Sequence, residues 1–262
     1  MKQSIIAKIS LLLGIAFFVL PAATPVEGAD GPRTAAEADT AVGPGIIEGT
    51  VKFRGAVPKA RIPDDAGLRH DLLTVDPESK GLQYVVVWLA MDGVDAKPGT
   101  PDAKPALVDQ INHQFVPRVL AVLAGQPVSF TNSDAANHNV RTGSSRRANE
   151  FNVYTGANGS YTHRFAADPR HTPVQLGCDI HPWMRGWIYV FDHPWFAVTD
   201  RHGDFRIGSI PPGDYTLVIQ QPDIPYKHER KITVFSSTAT NVVLEIQAEN
   251  LSKAGEPPAT KL

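Results

Sequence analysis

Seven residues in the C-terminal half, Cys178-Asp179-Ile180-His181-Pro182-Trp183-Met184, place a thiol, an imidazole and a thioether at the first, fourth and seventh positions of one short stretch. Strand-like runs flank it, Val174 to Gly177 and Gly186 to Phe191, so the spacing predicts a tight turn whose donors face a single metal ion. Two soft sulfur donors beside an imidazole suit copper better than a hard cation, and two His with one Cys and a weak axial Met is the donor set of electron-transfer copper sites. This loop contains only one His. The best candidate for the second is His138, in Asn137-His138-Asn139-Val140, which follows the strand-like Val128 to Asn132 and leaves the end of that strand.

On these residues the chain resembles the cupredoxin (blue copper) family, and within it the amicyanin and plastocyanin-like methylamine-utilisation proteins. Their copper loop has the same Cys-x2-His-x2-Met spacing, with Pro and an aromatic between His and Met. The resemblance covers roughly Leu107 to Asp192, although the stretch between His138 and Cys178 matches poorly. It implies that His138, Cys178, His181 and Met184 hold one mononuclear type 1 copper, and that Asn139 ties the two ligand-bearing segments together beside the thiolate. It also implies a Greek-key β-sandwich, with His181 as the partly exposed ligand and electron exit. A periplasmic redox partner, a dehydrogenase or a c-type cytochrome, would dock near His181 and Trp183.

Each residue has a plainer reading. A lone Cys is most often a small buried hydrophobe, Met184 could be core filler, and Trp183 more often packs than conducts. What outweighs these is four donors falling into ligand spacing together. The remaining histidines, His70, His113, His163, His171, His193, His202 and His228, have no ligand-spaced partner in the sequence and read as surface or core, with mild caution for His113.

The start of the chain carries Lys2 and Lys8, then an apolar run from Ile9 to Leu20 and small residues, the pattern of a secretory signal over residues 1–28 rather than a membrane span. Export implies a periplasmic or secreted protein, where one Cys cannot make an internal disulfide and metal ligation would account for it. The net charge is −2, and losing Lys2, Lys8 and Glu27 leaves −3, so nothing suggests a nucleic-acid surface.

Short apolar runs with Gly and Pro between them and no long amphipathic helix make the class all-β. After a flexible lead-in over 29–44, strands are expected at Ile46 to Phe53 and Leu82 to Met91. Others are expected at Leu107 to Ile111, Phe115 to Val122, Val128 to Asn132, Phe151 to Val153, Tyr161 to Phe165, Val174 to Gly177 and Trp187 to Phe191. Beyond Asp192, strand, Gly turn, strand, Pro-Gly turn and strand over Phe196 to Ile219 resemble the second half of carboxypeptidase-regulatory-like (transthyretin-like) domains. Gly49-Thr50-Val51 with Gly55 and Pro58 supplies the missing opening. The expectation is a discontinuous small sandwich, 45–97 plus 193–247, with the cupredoxin domain at 98–192 inserted and 248–262 as a tail.

No Gly-x-Ser-x-Gly elbow, phosphate loop, Cys pair or paired catalytic carboxylates are evident, so the chain is expected not to be an enzyme. Three readings stay open: a blue-copper carrier of single electrons, a copper-binding or copper-handling protein, and a glycan- or protein-binding module with an auxiliary copper site.

Overall fold

A computed structural model describes residues 43–90 and 104–251. The expected signal sequence, most of the lead-in, the 98 boundary and most of the tail lie outside the described residues. Among the described residues sixteen strands follow one another: β1 (Gly45–Arg54), β2 (Val86–Ala90), β3 (Ala106–Ile111), β4 (Gln114–Val116), β5 (Val119–Leu123), β6 (Pro127–Asn132), β7 (His138–Gly143) and β8 (Asn152–Thr155). Then come β9 (Ser160–Arg164), β10 (Val174–Gly177), β11 (Arg185–Phe191), β12 (Phe196–Val198), β13 (Asp204–Ile210), β14 (Gly213–Gln221), β15 (Tyr226–Val234) and β16 (Ala239–Gln247). Two three-residue 3-10 turns are the only helical elements among the described residues.

The strands form four sheets, in the orders β13-β1-β16, β12-β2-β14-β15, β5-β11-β10-β7-β8 and β4-β3-β6-β9. β1 runs parallel to β16 from Ile46 opposite Ala239 to Arg54 opposite Gln247, and antiparallel to β13. β2 lies between β12 and β14, antiparallel to both. Among the described residues, the first two strands therefore pair only with strands that follow residue 195. Three apolar clusters result. One unites Ile47, Val51 and Phe53 with Leu217, Ile219 and Ile246. A second unites Val108, Phe130 and Val140 with Cys178, Met184 and Ile188. The third, around Trp88, Tyr189, Phe191 and Val218, joins β2 and β14 to β11.

The alternation rule explains β2. Val87 and Leu89 point into the first cluster while Val86 and Trp88 point into the third, so four consecutive apolar residues are all buried. Two differences from expectation bear on the site. The Phe115 to Val122 run is two strands, β4 and β5, separated at Pro117, which has no backbone N–H for a ladder. And His138 does not leave the end of the strand before it: the chain crosses to the other sheet after β6, and His138 opens β7. β15 and β16 were not anticipated. β15, with the sequence YKHERKITV, is a polar edge strand and shows little alternation to read.

Candidate metal centre

β7 pairs with β10 in antiparallel register, Arg141 opposite Gly177 and Gly143 opposite Gln175. His138 lies just beyond this ladder, level with the stretch that begins at Cys178. The 178–184 loop turns back tightly, with the Met184 N–H donating to the His181 carbonyl at 2.9 Å. Both donors reach one point as a result. His138 Nδ1 is 2.9 Å from His181 Nδ1, and Cys178 Sγ is 4.0 Å and 3.8 Å from these two nitrogens. A triangle with these sides has its centre about 2.1 Å from each corner, the length of a first-row metal bond to imidazole and within about 0.2 Å of that to thiolate. The donor set therefore fits a copper ion. Cys178, Met184 and His138 are each at most 2% exposed, with His181 at the rim, and Met184 packs in the same core as Cys178.

Polar contacts fix these donors. Asp134 Oδ2 accepts from His138 Nε2–H at 2.9 Å, so the lone pair is on Nδ1, facing the sulfur. Backbone N–H groups of Asn112 and His113 donate to the same carboxylate at 2.7 and 2.9 Å. Burial alone would raise the Asp134 pKa, but the hydrogen bonds from His113, His138 and Asn112 hold it below the ordinary carboxylate value. Asn139 Oδ1 accepts from the Asp179 N–H at 2.8 Å and lies 3.3 Å from Cys178 Sγ. Its Nδ2 donates to Asn152 and Asp179. Arg141 Nε donates to the far oxygen of Asp179 at 2.6 Å, so the loop is fastened to β7 and β8 on one side.

His181 is held neutral. Burial first, then the rings of His138 and His113, lower its pKa, while Asp65 and Asp134 pull it up. A neutral imidazole is the form that can bind a metal.

His113 corrects the sequence reading, which gave it no ligand-spaced partner. Its ring meets the edges of His138 at 5.3 Å and His181 at 4.7 Å and stacks on Trp183 at 6.4 Å. It forms a donor group with His181 and Asp65. His171 and His193 likewise cluster with Asp192. There the Trp195 N–H donates to His193 Nδ1, which puts the ring proton of neutral His193 on Nε2 and leaves no lone pair for a metal. His70, His163, His202 and His228 join no donor group among the described residues. Trp183 packs on the core with its ring 5.1 Å from His181. Asp134, Asp65 and Asp179 went unnoticed in the sequence, because an acidic residue in a polar loop carries no periodic signal. The one usable hint was Asp134, four residues ahead of His138.

Parts of the chain are similar to solved cupredoxin structures. A copper-containing nitrite reductase from Thermus scotoductus SA-01 is 25% identical over 36% of this chain and 25% of its own, with a TM-score of 0.30. A purple cupredoxin from Nitrosopumilus maritimus is 21% identical over 33% of this chain and 99% of its own, at 0.29. An oxidised amicyanin variant is 19% identical over 37% and 90%, at 0.30. No family model and no curated protein matches. The chain spans about a quarter of the nitrite reductase's length. Because that similar protein is an enzyme, the expectation that this chain is not one is withdrawn. Among the described residues, no helix is long and apolar enough to cross a membrane.

Proposed function

We propose that His138, Cys178, His181 and Met184 hold one type 1 copper ion, and that the exported chain carries single electrons between periplasmic redox partners. The observation that carries this reading is the convergence of three donor atoms, from two separate segments, onto one point at metal-bonding distance. Copper, when bound, supplies one-electron redox chemistry. The chain's own residues supply a rigid setting for it. Asp134 keeps the His138 lone pair directed inward, Asn139 pins the backbone at Asp179, and Arg141 holds the Asp179 side chain. A donor set that moves little between oxidation states favours outer-sphere electron transfer. The apolar core behind Cys178 and Met184 keeps water away from the sulfur atoms.

His181 is at the rim, beside the half-exposed Ile180 and the partly buried Trp183. This small apolar surface suits brief contact with a dehydrogenase or a c-type cytochrome. The pairing of β1 with β13 and β16, and of β2 with β12 and β14, supports a carboxypeptidase-regulatory-like sandwich of 45–97 and 193–247 that carries the 98–192 cupredoxin domain as an insertion.

The test is to add copper to the purified metal-free protein and record visible and paramagnetic spectra. The expected result is an intense thiolate-to-copper band that Cys178→Ala removes, while Met184→Ala keeps the copper but shifts the potential. A colourless wild-type complex would sink the proposal.

A further inference from the structure

A second donor group lies against the first. One ring nitrogen each from His113 and His181 and one carboxylate oxygen from Asp65 lie within 4.8 Å of one another. Asp65 and His113 border a cleft of about 580 Å³ that Asp64, His70, Tyr84 and Met184 also line. His181 belongs to both groups. Its Nδ1 faces His138 and Cys178, which leaves Nε2 on the other edge of the ring. The His113 ring is not among the copper donors, although its Nδ1 lies 3.9 Å from Asp134 Oδ2. Its backbone N–H serves Asp134, but the ring stands edge-on to His181 with Trp183 stacked beside it.

We propose that Asp65, His113 and His181 form a second site, for a divalent first-row cation, beside the copper donors and sharing His181 with them. Two imidazoles and a carboxylate are donors such cations accept, and three protein ligands leave a position open for water or a small molecule from the cleft. The exposed Asp65 side chain has freedom to close the remaining distance. Asp65 comes from the segment between β1 and β2, His113 from the turn between β3 and β4, and His181 from the copper loop. The cation therefore fastens three segments at the rim where His181 meets solvent. The sharing of His181 rests on the copper reading; the second site itself does not.

The experiment titrates the copper-loaded full chain with Co2+, following cobalt d–d absorption and the copper paramagnetic signal. The expected result is one Co2+ equivalent, with the copper signal perturbed through the shared ring. Asp65→Asn and His113→Gln should each weaken Co2+ binding at least about tenfold, a loss no smaller than that from removing a supporting contact, with the thiolate-to-copper band retained. Absence of Co2+ binding, or binding unaffected by both substitutions, overturns the proposal. The same titration on Cys178→Ala separates the two sites. Retention of one Co2+ equivalent there, lost when His113→Gln is added, upholds the second site whether or not the wild type turns blue with copper. Loss of all Co2+ binding in Cys178→Ala overturns it.

Discussion

Asn139 is the residue on which the two halves of the centre depend. It is buried and spends its whole amide on Asp179 and Asn152, so Asn139→Ala would leave the Asp179 N–H without its acceptor beside the sulfur. The expected cost is about 1–3 kcal/mol of stability in the metal-free protein and about 10–100-fold in copper affinity. Denaturant unfolding and competition with a copper chelator measure the two; no change in either contradicts the tie. Asp134 gives a pH signature. Its folded pKa is below the ordinary value, so its contribution to stability is complete above about pH 4 and is lost as the pH falls through the folded pKa. The stability difference between wild type and Asp134→Asn should be constant near neutrality and shrink below about pH 4. A difference that widens in acid would show that the carboxylate is not held by His113, His138 and Asn112.

At the level of elements, the centre of β1 is where three segments meet. The Val51 N–H donates to the Gly203 carbonyl and the Leu82 N–H to the Val51 carbonyl, each at 2.8 Å. Gly203 has φ +81, and a Cβ there would fall 2.3 Å from the Val51 carbonyl oxygen. Neither the left-handed backbone nor the backbone contact tolerates a side chain. Gly203→Ala should cost about 2–4 kcal/mol, seen as a lower denaturant midpoint with the slope unchanged. A loss under about 1 kcal/mol would mean that the segments can separate freely. The sequence showed β1 and β2 through their apolar runs, but not β15, whose polar residues face solvent at a sheet edge. Nor did it show that β7 begins at His138, because a crossing between sheets leaves no periodic mark.

Across the whole molecule, the apolar cluster around Trp88 joins the sheet that contains β2 to the sheet that carries the metal loop. Trp88 is 3% exposed, and its ring lies 6.0 Å from Tyr189 and 5.7 Å from Phe191. Trp88→Ala should cost about 3–5 kcal/mol. It should also turn one calorimetric unfolding transition into two, as the two larger cores lose their common packing. One undivided transition in the variant would show that they are coupled by other contacts.

The candidate donor residues and the all-β class could be read from the chain alone. Cys178, His181 and Met184 are neighbours on one loop, and strand periodicity is a local property of consecutive side chains. His138 could be named as the best candidate for the second imidazole, and Asn139 by resemblance. The contacts of His113, Asp134 and Asp65 with the centre, and the pairing of β1 with β16, were settled by tertiary structure. These groups meet only after long stretches of chain have folded between them, and solvent-facing polar residues leave no pattern from which such meetings can be inferred.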